Sequence, residues 1–236
     1  NGVLAFASEL GVLTRAGFTG DLDPAAMAAC FTYLYIPAPD TVFKGVRKLR
    51  PGERAVFEKG ALHRERYWQP RYAPDAAWTL DSAAERFREL LEDSVRLRRI
   101  SDVPLGAFLS GGLDSSTVVH TLAGVSGRPV KTFSIGFDDA RANELAWARI
   151  AAESAGTDHT EVMLSPDMAD LAPRLAAHFG EPFADSSALP MWLVAEVARR
   201  EVTVALSGDG GGELFGGYTW MHRNHAVAGY RRTPAW

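Results

Sequence analysis

One cysteine, Cys30, stands among 236 residues, so no internal disulfide and no cysteine-rich zinc site can support this chain. Apolar runs are short as well: none approaches the roughly 18 residues that a membrane-crossing helix needs. The first residues lack the basic and apolar regions of a secretory leader, and a cytoplasmic protein with no membrane partner is expected. A cationic stripe is also missing. Basic residues fall in twos and threes (Arg47, Lys48 and Arg50; Arg96, Arg98 and Arg99; Arg199 and Arg200) within a net charge of −4. That scatter suits solvated helix faces and argues against a nucleic-acid partner. The six histidines show no H-E-x-x-H or other zinc spacing, and His222 with His225 read as ordinary helix positions. What remains, 47% hydrophobic and 23% charged, is an ordinary globular composition, long enough for one large domain or two modest ones.

Residues 1–68 alternate short apolar runs with turn signals. Pro51-Gly52 and Lys59-Gly60 bracket two of these runs, so that Glu53 to Phe57 and Ala61 to Tyr67 predict a hairpin. Asp23 before Pro24 predicts a helix through Tyr33. The stretch WQPRYAPDAAWT, Trp68 to Thr79, carries two prolines and no period, which predicts a linker over 69–79 with a boundary near residue 75. From Leu80 the pattern changes. Ser82 with Glu85 reads as a capping box, and Phe87, Leu90, Leu91 and Val95 share one face of a helix whose apolar side is core. Strands are predicted at Pro104 to Leu109, Val130 to Phe137, Thr160 to Leu164 and Val202 to Leu206. Helices are predicted at Ser115 to Leu122 and Glu144 to Ala155, with two more between Asp167 and Arg199. This alternation over 80–236 implies an α/β fold, a parallel sheet with helices on both faces, whose ligands bind beyond the carboxyl ends of the strands.

Three loops, Ser110 to Ser116, Gly136 to Asp139 and Ser207 to Gly217, follow strands and therefore open on the same edge. The first, within FLSGGLDSSTV, places two glycines where the backbone must approach a ligand, and hydroxyls at the mouth of a helix whose dipole favours an anion. It lacks the lysine of a Walker-type loop, so charge neutralisation must come from elsewhere, most simply a Mg²⁺ ion held by Asp114. The bland alternative makes Asp114 a helix cap. The third loop, LSGDGGGELFGGY, has six glycines among thirteen residues and embeds Asp209 and Glu213 before an aromatic anchor, Tyr218. Either acid suits a metal ligand or a general base, against the alternative of a simple glycine turn.

FLSGGLDSS, TFSIGF, GTDHTE, EPFADSSALP and LSGDGGGELFGGY follow one another in an order that resembles the synthetase domain of glutamine-dependent asparagine synthetases, from about Ala83 to Tyr230. FASELGVLTRAG, TVFKGVRKLRPGE and RYW upstream resemble the final part of the glutaminase domain of the same enzymes, with both domains cut. The resemblance implies a PP-loop ATP pyrophosphatase sheet preceded by a partial α+β segment of the N-terminal nucleophile hydrolase type. It also implies an ATP-dependent, Mg²⁺-assisted amidation of a carboxylate, aspartate or another, with ammonia from glutamine, and leaves room for a homodimer. In that family the first loop holds pyrophosphate as a leaving group, because the bond cleaved lies between the α and β phosphates. Leu109, Ser110, Gly111, Gly112, Asp114 and Ser115 would then carry phosphate and metal contacts, while Ile135, Ser207 and Gly208 would cradle adenine and ribose. Asp209 matches the acid that takes a proton from ammonia. Asp185, Ser186 and Ser187 lie where the family recognises its carboxylate, although the same residues read alone suit a helix cap.

Two departures stand out. The family usually has an aspartate before Glu213 as a second magnesium ligand, and here that place is Gly212. Glu213 is the available substitute, and Gly212→Asp is expected to restore the ligand. The glutaminase nucleophile of the family is an N-terminal cysteine, whereas this sequence opens at Asn1, and Cys30 sits in a predicted helix as packed core. Glutamine hydrolysis by this chain is therefore not expected. Related proteins that amidate sugars or close lactam rings, and noncatalytic nucleotide-binding relatives, are the alternatives to an aspartate-amidating ligase.

Overall fold

In chain order the computed structural model comprises α1 (Leu10–Arg15), α2 (Pro24–Tyr33), β1 (Glu53–Glu58), β2 (Ala61–Arg66), α3 (Leu80–Arg98), β3 (Leu105–Phe108) and α4 (Leu113–Val125). There follow β4 (Lys131–Phe137), α5 (Leu145–Ala155), β5 (Asp158–Leu164), α6 (Met168–Phe179), α7 (Ala188–Ala198), β6 (Val204–Leu206) and α8 (Gly211–Phe215). The structure describes residues 3–138, 143–164, 168–221 and 223, so Asp139, Asp167, His222 and His225 lie outside the described residues. The chain divides into two units, Asn1–Ala76 with Pro166–Trp192, and Ala77–Ser165 with Leu193–Trp236.

In the first unit, the Asp23 carboxylate accepts hydrogen bonds from the amides of Ala25 at 2.9 Å and Ala26 at 3.4 Å, two donors that the first turn of α2 would otherwise leave unpaired. Ala26 and Cys30 on α2 pack with Ile36 and Val42 into a small core. The hairpin forms as expected. Glu53 pairs with Arg66 and Glu58 with Ala61, and Lys59 and Gly60 both take positive φ, which matches the twist of the strands they join.

The second unit holds a four-stranded parallel sheet in the order β5-β4-β3-β6. One face is covered by α3, α4 and α5, through Val95, Val119, Leu122, Ala148 and Ala151 against Ala107 and Leu109. The opposite face is covered by α7, where Val194, Val197 and Ala198 pack on Phe133. Burying a side chain the size of Phe133 contributes about 1.5–3 kcal/mol. Connections from β3 run outward to β4 and β5, and the chain then returns across the sheet to β6. The direction of winding therefore reverses between β3 and β6, and a crevice is expected outside their carboxyl ends.

The structure corrects three local expectations. The capping box of α3 is Thr79 with Ser82, not Ser82 with Glu85: the helix starts at Leu80, and the Thr79 and Ser82 side chains each bond the other's backbone amide. The apolar stripe of α3 is only partly core. Val95 is buried and Leu91 packs beside it, but Leu90 is exposed, because the cluster against α4 covers only part of the stripe. Phe87 instead meets Phe215 edge-on, with ring centroids 5.1 Å apart. Finally, the third loop contains a short helix, α8, bounded by Gly210 and Gly216 at positive φ, so its glycines turn the chain around a helical segment.

Candidate nucleotide site

Beyond β3 the ladder continues for one residue. The Leu109 amide donates to the Phe133 carbonyl at 3.0 Å, and the Ser134 hydroxyl donates to the Leu109 carbonyl. The Leu109 side chain is core. This residue therefore sets where the loop begins, while Ser110 onward is released from the sheet. Gly111 adopts φ +82, and an added Cβ there would sit 2.6 Å from Trp147 Cβ at the start of α5, so only glycine satisfies both the conformation and the approach. The Ser110 and Ser115 hydroxyls lie 3.0 Å apart. Ser110 Oγ accepts from the Gly112 amide at 3.2 Å, and Ser115 Oγ donates to the Gly112 carbonyl at 3.3 Å. The loop is thus tied into a tight ring at the amino end of α4, a helix of 13 residues whose first-turn amides have no acceptor within the helix and whose dipole is positive at this end.

The third loop, Ser207 to Gly217, closes on this ring. A Cβ at Gly208 would lie 2.6 Å from the Ser115 amide nitrogen, and one at Gly211 would lie 2.6 and 2.7 Å from the two Asp114 carboxylate oxygens. Ser110, Gly111, Gly112, Asp114, Ser115, Gly208 and Gly211 are therefore brought together beyond the carboxyl ends of β3 and β6. Asp209 is next to this contact. Its Oδ2 accepts from the Ser207 hydroxyl at 2.8 Å, which orients the carboxylate. Glu213 is engaged elsewhere, accepting from the Tyr218 hydroxyl at 3.0 Å. Gly212 does not have positive φ, but a Cβ there would lie 2.9 Å from the Tyr218 ring. An aspartate at this position has to displace that ring before it can face Asp114, which alters the expectation that Gly212→Asp simply restores a ligand.

Ile135 lies on β4 opposite Val162 and packs its side chain into the cluster under α7. Asp185, Ser186 and Ser187 belong to the other unit. There Asp185 Oδ1 accepts from the Ser187 amide at 2.8 Å, one residue before α7 begins. Bonds from the Ser187 backbone, then its side chain, hold the Asp185 carboxyl below the usual aspartate range. Among the described residues no three His, Cys, Asp or Glu side chains cluster to form a protein cage for a metal. The one carboxylate at the ring, Asp114, still fits magnesium, which commonly takes one or two carboxylates and completes its shell with phosphate oxygens and water.

Sequence reasoning missed three contributors: Ser134, which pins Leu109; Gly211, which backs Asp114; and the start of α5, which presses on Gly111. Ser134 had a legible signal, since a serine between Phe133 and Ile135 in a buried strand must find a partner. The other two are contacts between segments far apart in the chain.

The sequence model of the asparagine synthase family matches residues 86–235, and that of the glutamine amidotransferase domain matches residues 1–68. Asparagine synthetase (glutamine-hydrolyzing) 1 of Bacillus subtilis is 34% identical over 238 residues, covering 100% of this chain and 37% of the relative. Putative asparagine synthetase (glutamine-hydrolyzing) 2 of Methanocaldococcus jannaschii is 37% identical over 237 residues, covering 97% of this chain and 45% of the relative. The chain therefore spans less than half the length of these curated relatives. A solved NMN synthetase from Francisella tularensis overlaps 60% of this chain and 59% of its own at 17% identity, with a TM-score of 0.39.

Proposed function

The chain belongs to the asparagine synthase family, and from that premise we propose that it carries the nucleotide half of an ATP-dependent ligase that amidates a carboxylate, aspartate in our reading. Residues 1–68 would be the end of a glutaminase domain that supplies ammonia, 69–79 a linker, and 80–236 the start of the synthetase. A carboxylate is not amidated directly, because oxide is a poor leaving group. In the proposed sequence a carboxylate oxygen attacks the α phosphorus of ATP, the bond from that phosphorus to the β-bridging oxygen breaks, and pyrophosphate leaves. The Ser110 and Ser115 hydroxyls and the first-turn amides of α4 stabilise charge where it develops on pyrophosphate. Asp114 would hold a magnesium ion, which supplies charge neutralisation at the phosphates when bound. Ammonia then attacks the acyl carbon, the carbon–oxygen bond to AMP breaks, and Asp209 takes the proton that nitrogen loses. Tied at Oδ2 to Ser207, that carboxylate keeps Oδ1 without a hydrogen bond among the described residues. Ile135, Ser207 and Gly208 would flank the nucleoside, and Asp185, Ser186 and Ser187 the carboxylate.

One observation supports this reading above the rest: the two glycine-bearing loops meet side by side, with Gly208 on Ser115 and Gly211 on Asp114. Pyrophosphate release should require ATP and aspartate together. Binding of ATP without release in the presence of aspartate or any other carboxylate would favour a noncatalytic nucleotide-binding relative. Release with a different carboxylate would leave the chemistry standing and change the substrate.

A further inference from the structure

The segment that carries Asp185, Ser186 and Ser187 enters through four residues, Gly180, Glu181, Pro182 and Ala184, each of which touches the N-terminal part of the same unit. Glu181 is the centre of these contacts. Its Oε2 accepts from the Val42 amide at 3.2 Å, and its Oε1 pairs with Lys48 Nζ. Lys48 in turn donates to the Ile36 carbonyl at 2.8 Å. Ile36 and Val42 are core residues, and the Glu181 side chain is only 13% exposed, so the pair joins the entering segment to the best-packed part of the unit. Around it, the Ala184 amide donates to the Leu34 carbonyl at 2.7 Å, and the Cys30 thiol lies 3.7 Å from the Pro182 carbonyl. An added Cβ at Gly180 would meet the Gly11 amide nitrogen at 3.0 Å.

From this arrangement we propose that Lys48 is a positioning residue: by holding Glu181 it sets the register of residues 181–187 and thereby the affinity for the carboxylate acceptor, without touching acceptor or nucleotide. The acceptor's place at Asp185–Ser187 rests on the function proposed above, whereas the tether itself does not. A largely buried carboxylate that loses its cation is left uncompensated, and the segment that carries it must move or take up water. The hydrogen bond from Ala184 to Leu34 lies three residues from Glu181 and reports such movement directly.

Amide hydrogen exchange and steady-state pyrophosphate release are measured on the whole chain for the parent, Lys48→Met and Lys48→Arg. In Lys48→Met the Val42 and Ala184 amides should exchange about tenfold faster or more, while amides of β4 keep their protection. KM for the acceptor should rise about tenfold with KM for ATP and kcat within about twofold of the parent. Lys48→Arg, which keeps the charge, should return both readouts most of the way. Unchanged exchange at Val42 and Ala184 in Lys48→Met overturns the tether, as does an equal loss of protection in β4 or an equal rise in both KM values. If the parent releases no pyrophosphate with any carboxylate, the proposed function fails, and the exchange data still decide whether Lys48 holds the segment. Should Lys48→Met not fold, Glu181→Gln, which keeps an acceptor for Val42 but removes the charge, gives the same two readings.

Discussion

On the strands and strand-end loops of the sheet-bearing unit an added Cβ at Gly106, Gly111, Gly136 or Gly208 would come no more than 2.7 Å from a neighbouring atom, whereas in the N-terminal unit Gly52, against Trp68, is the one so tightly enclosed among the described residues and Gly11, Gly17, Gly45 and Gly60 would meet nothing within 4 Å. The cores differ in the same sense. Among the described residues, clusters of nine and five buried residues line the two faces of the sheet, against four in the N-terminal unit. The sheet unit locates its loops by close packing from both sides, while the N-terminal unit relies more on polar ties such as Glu181 with Lys48 and Val42. Tight packing transmits a single added or deleted carbon, and loosely packed surfaces absorb it.

The largest test of this contrast deletes core volume in each unit. Phe133→Ala should cost about 3–5 kcal/mol, and Ile36→Ala about 2–5 kcal/mol in the smaller cluster. Denaturant unfolding followed by circular dichroism should show each change in a separate transition. If both variants shift one common transition, the units unfold together and the contrast between them is broken.

A smaller effect is expected from one added methyl group. Gly208→Ala pushes against the Ser115 amide and should weaken ATP binding at least about tenfold, or about 1.4 kcal/mol. Gly124→Ala is the control in the same unit, since its Cβ meets nothing within 4 Å near the exposed end of α4. It should leave binding unchanged and add about 0.5–1 kcal/mol of stability. Calorimetric titration of both variants decides whether the contact between loops is needed for the nucleotide; equal affinities would show that it is not.

Gly212→Asp alters the position where the sequence leaves the family pattern. The backbone there is not left-handed, but any side chain displaces the Tyr218 ring and with it the bond to Glu213. Gly212→Asp and Gly212→Ala should therefore weaken ATP binding alike, by about 1 kcal/mol, as mild overpacking does. A magnesium titration that is steeper for the aspartate variant alone would show that the ring yields and the carboxylate reaches the ion.

The smallest effect concerns pH. His159 on β5 is largely buried, with Nδ1 2.8 Å from Thr132 Oγ1 and Nε2 without a hydrogen-bond partner among the described residues. Burial holds this imidazole below the usual histidine range. The Glu161 carboxylate, 3.6 Å from Nε2, pulls in the opposite direction, and the Arg149 guanidinium adds to the depression. The folded protein therefore binds fewer protons at His159 than the unfolded chain. Stability is unaffected by this group above about pH 6.5 and declines as pH falls from there to the depressed folded value. Thermal melts between pH 7.5 and 5 should show a shallower decline in His159→Gln. An unchanged slope would assign the acid sensitivity to other groups.

Much of the sheet unit was legible along the chain because its signals are local. Runs such as Val130 to Phe137 are long enough to be strands and are bounded by turns, and the structure has β4 at Lys131–Phe137. The ring of Ser110 to Ser115 could be read for the same reason, since its bonds join residues no more than five apart. Gly211, Trp147 and Tyr218 could not be weighted in this way. Their importance lies in what they touch, and the order of residues along a chain does not specify contacts across it.

The strands, the longer helices, the parallel pairing of the sheet and the glycine-bearing loops at its carboxyl edge could be read along the chain, because hydrophobic period and turn chemistry act over a few residues, whereas the short helices α1 and α8 could not. Packing in three dimensions is what closes Gly208 and Gly211 on Ser115 and Asp114, fills the space beside Gly212 with Tyr218, and joins Lys48 to a glutamate 133 positions away. Those outcomes depend on the crossing from β5 back to β6 and on close packing between distant segments, where a few tenths of an ångström separate contact from clash.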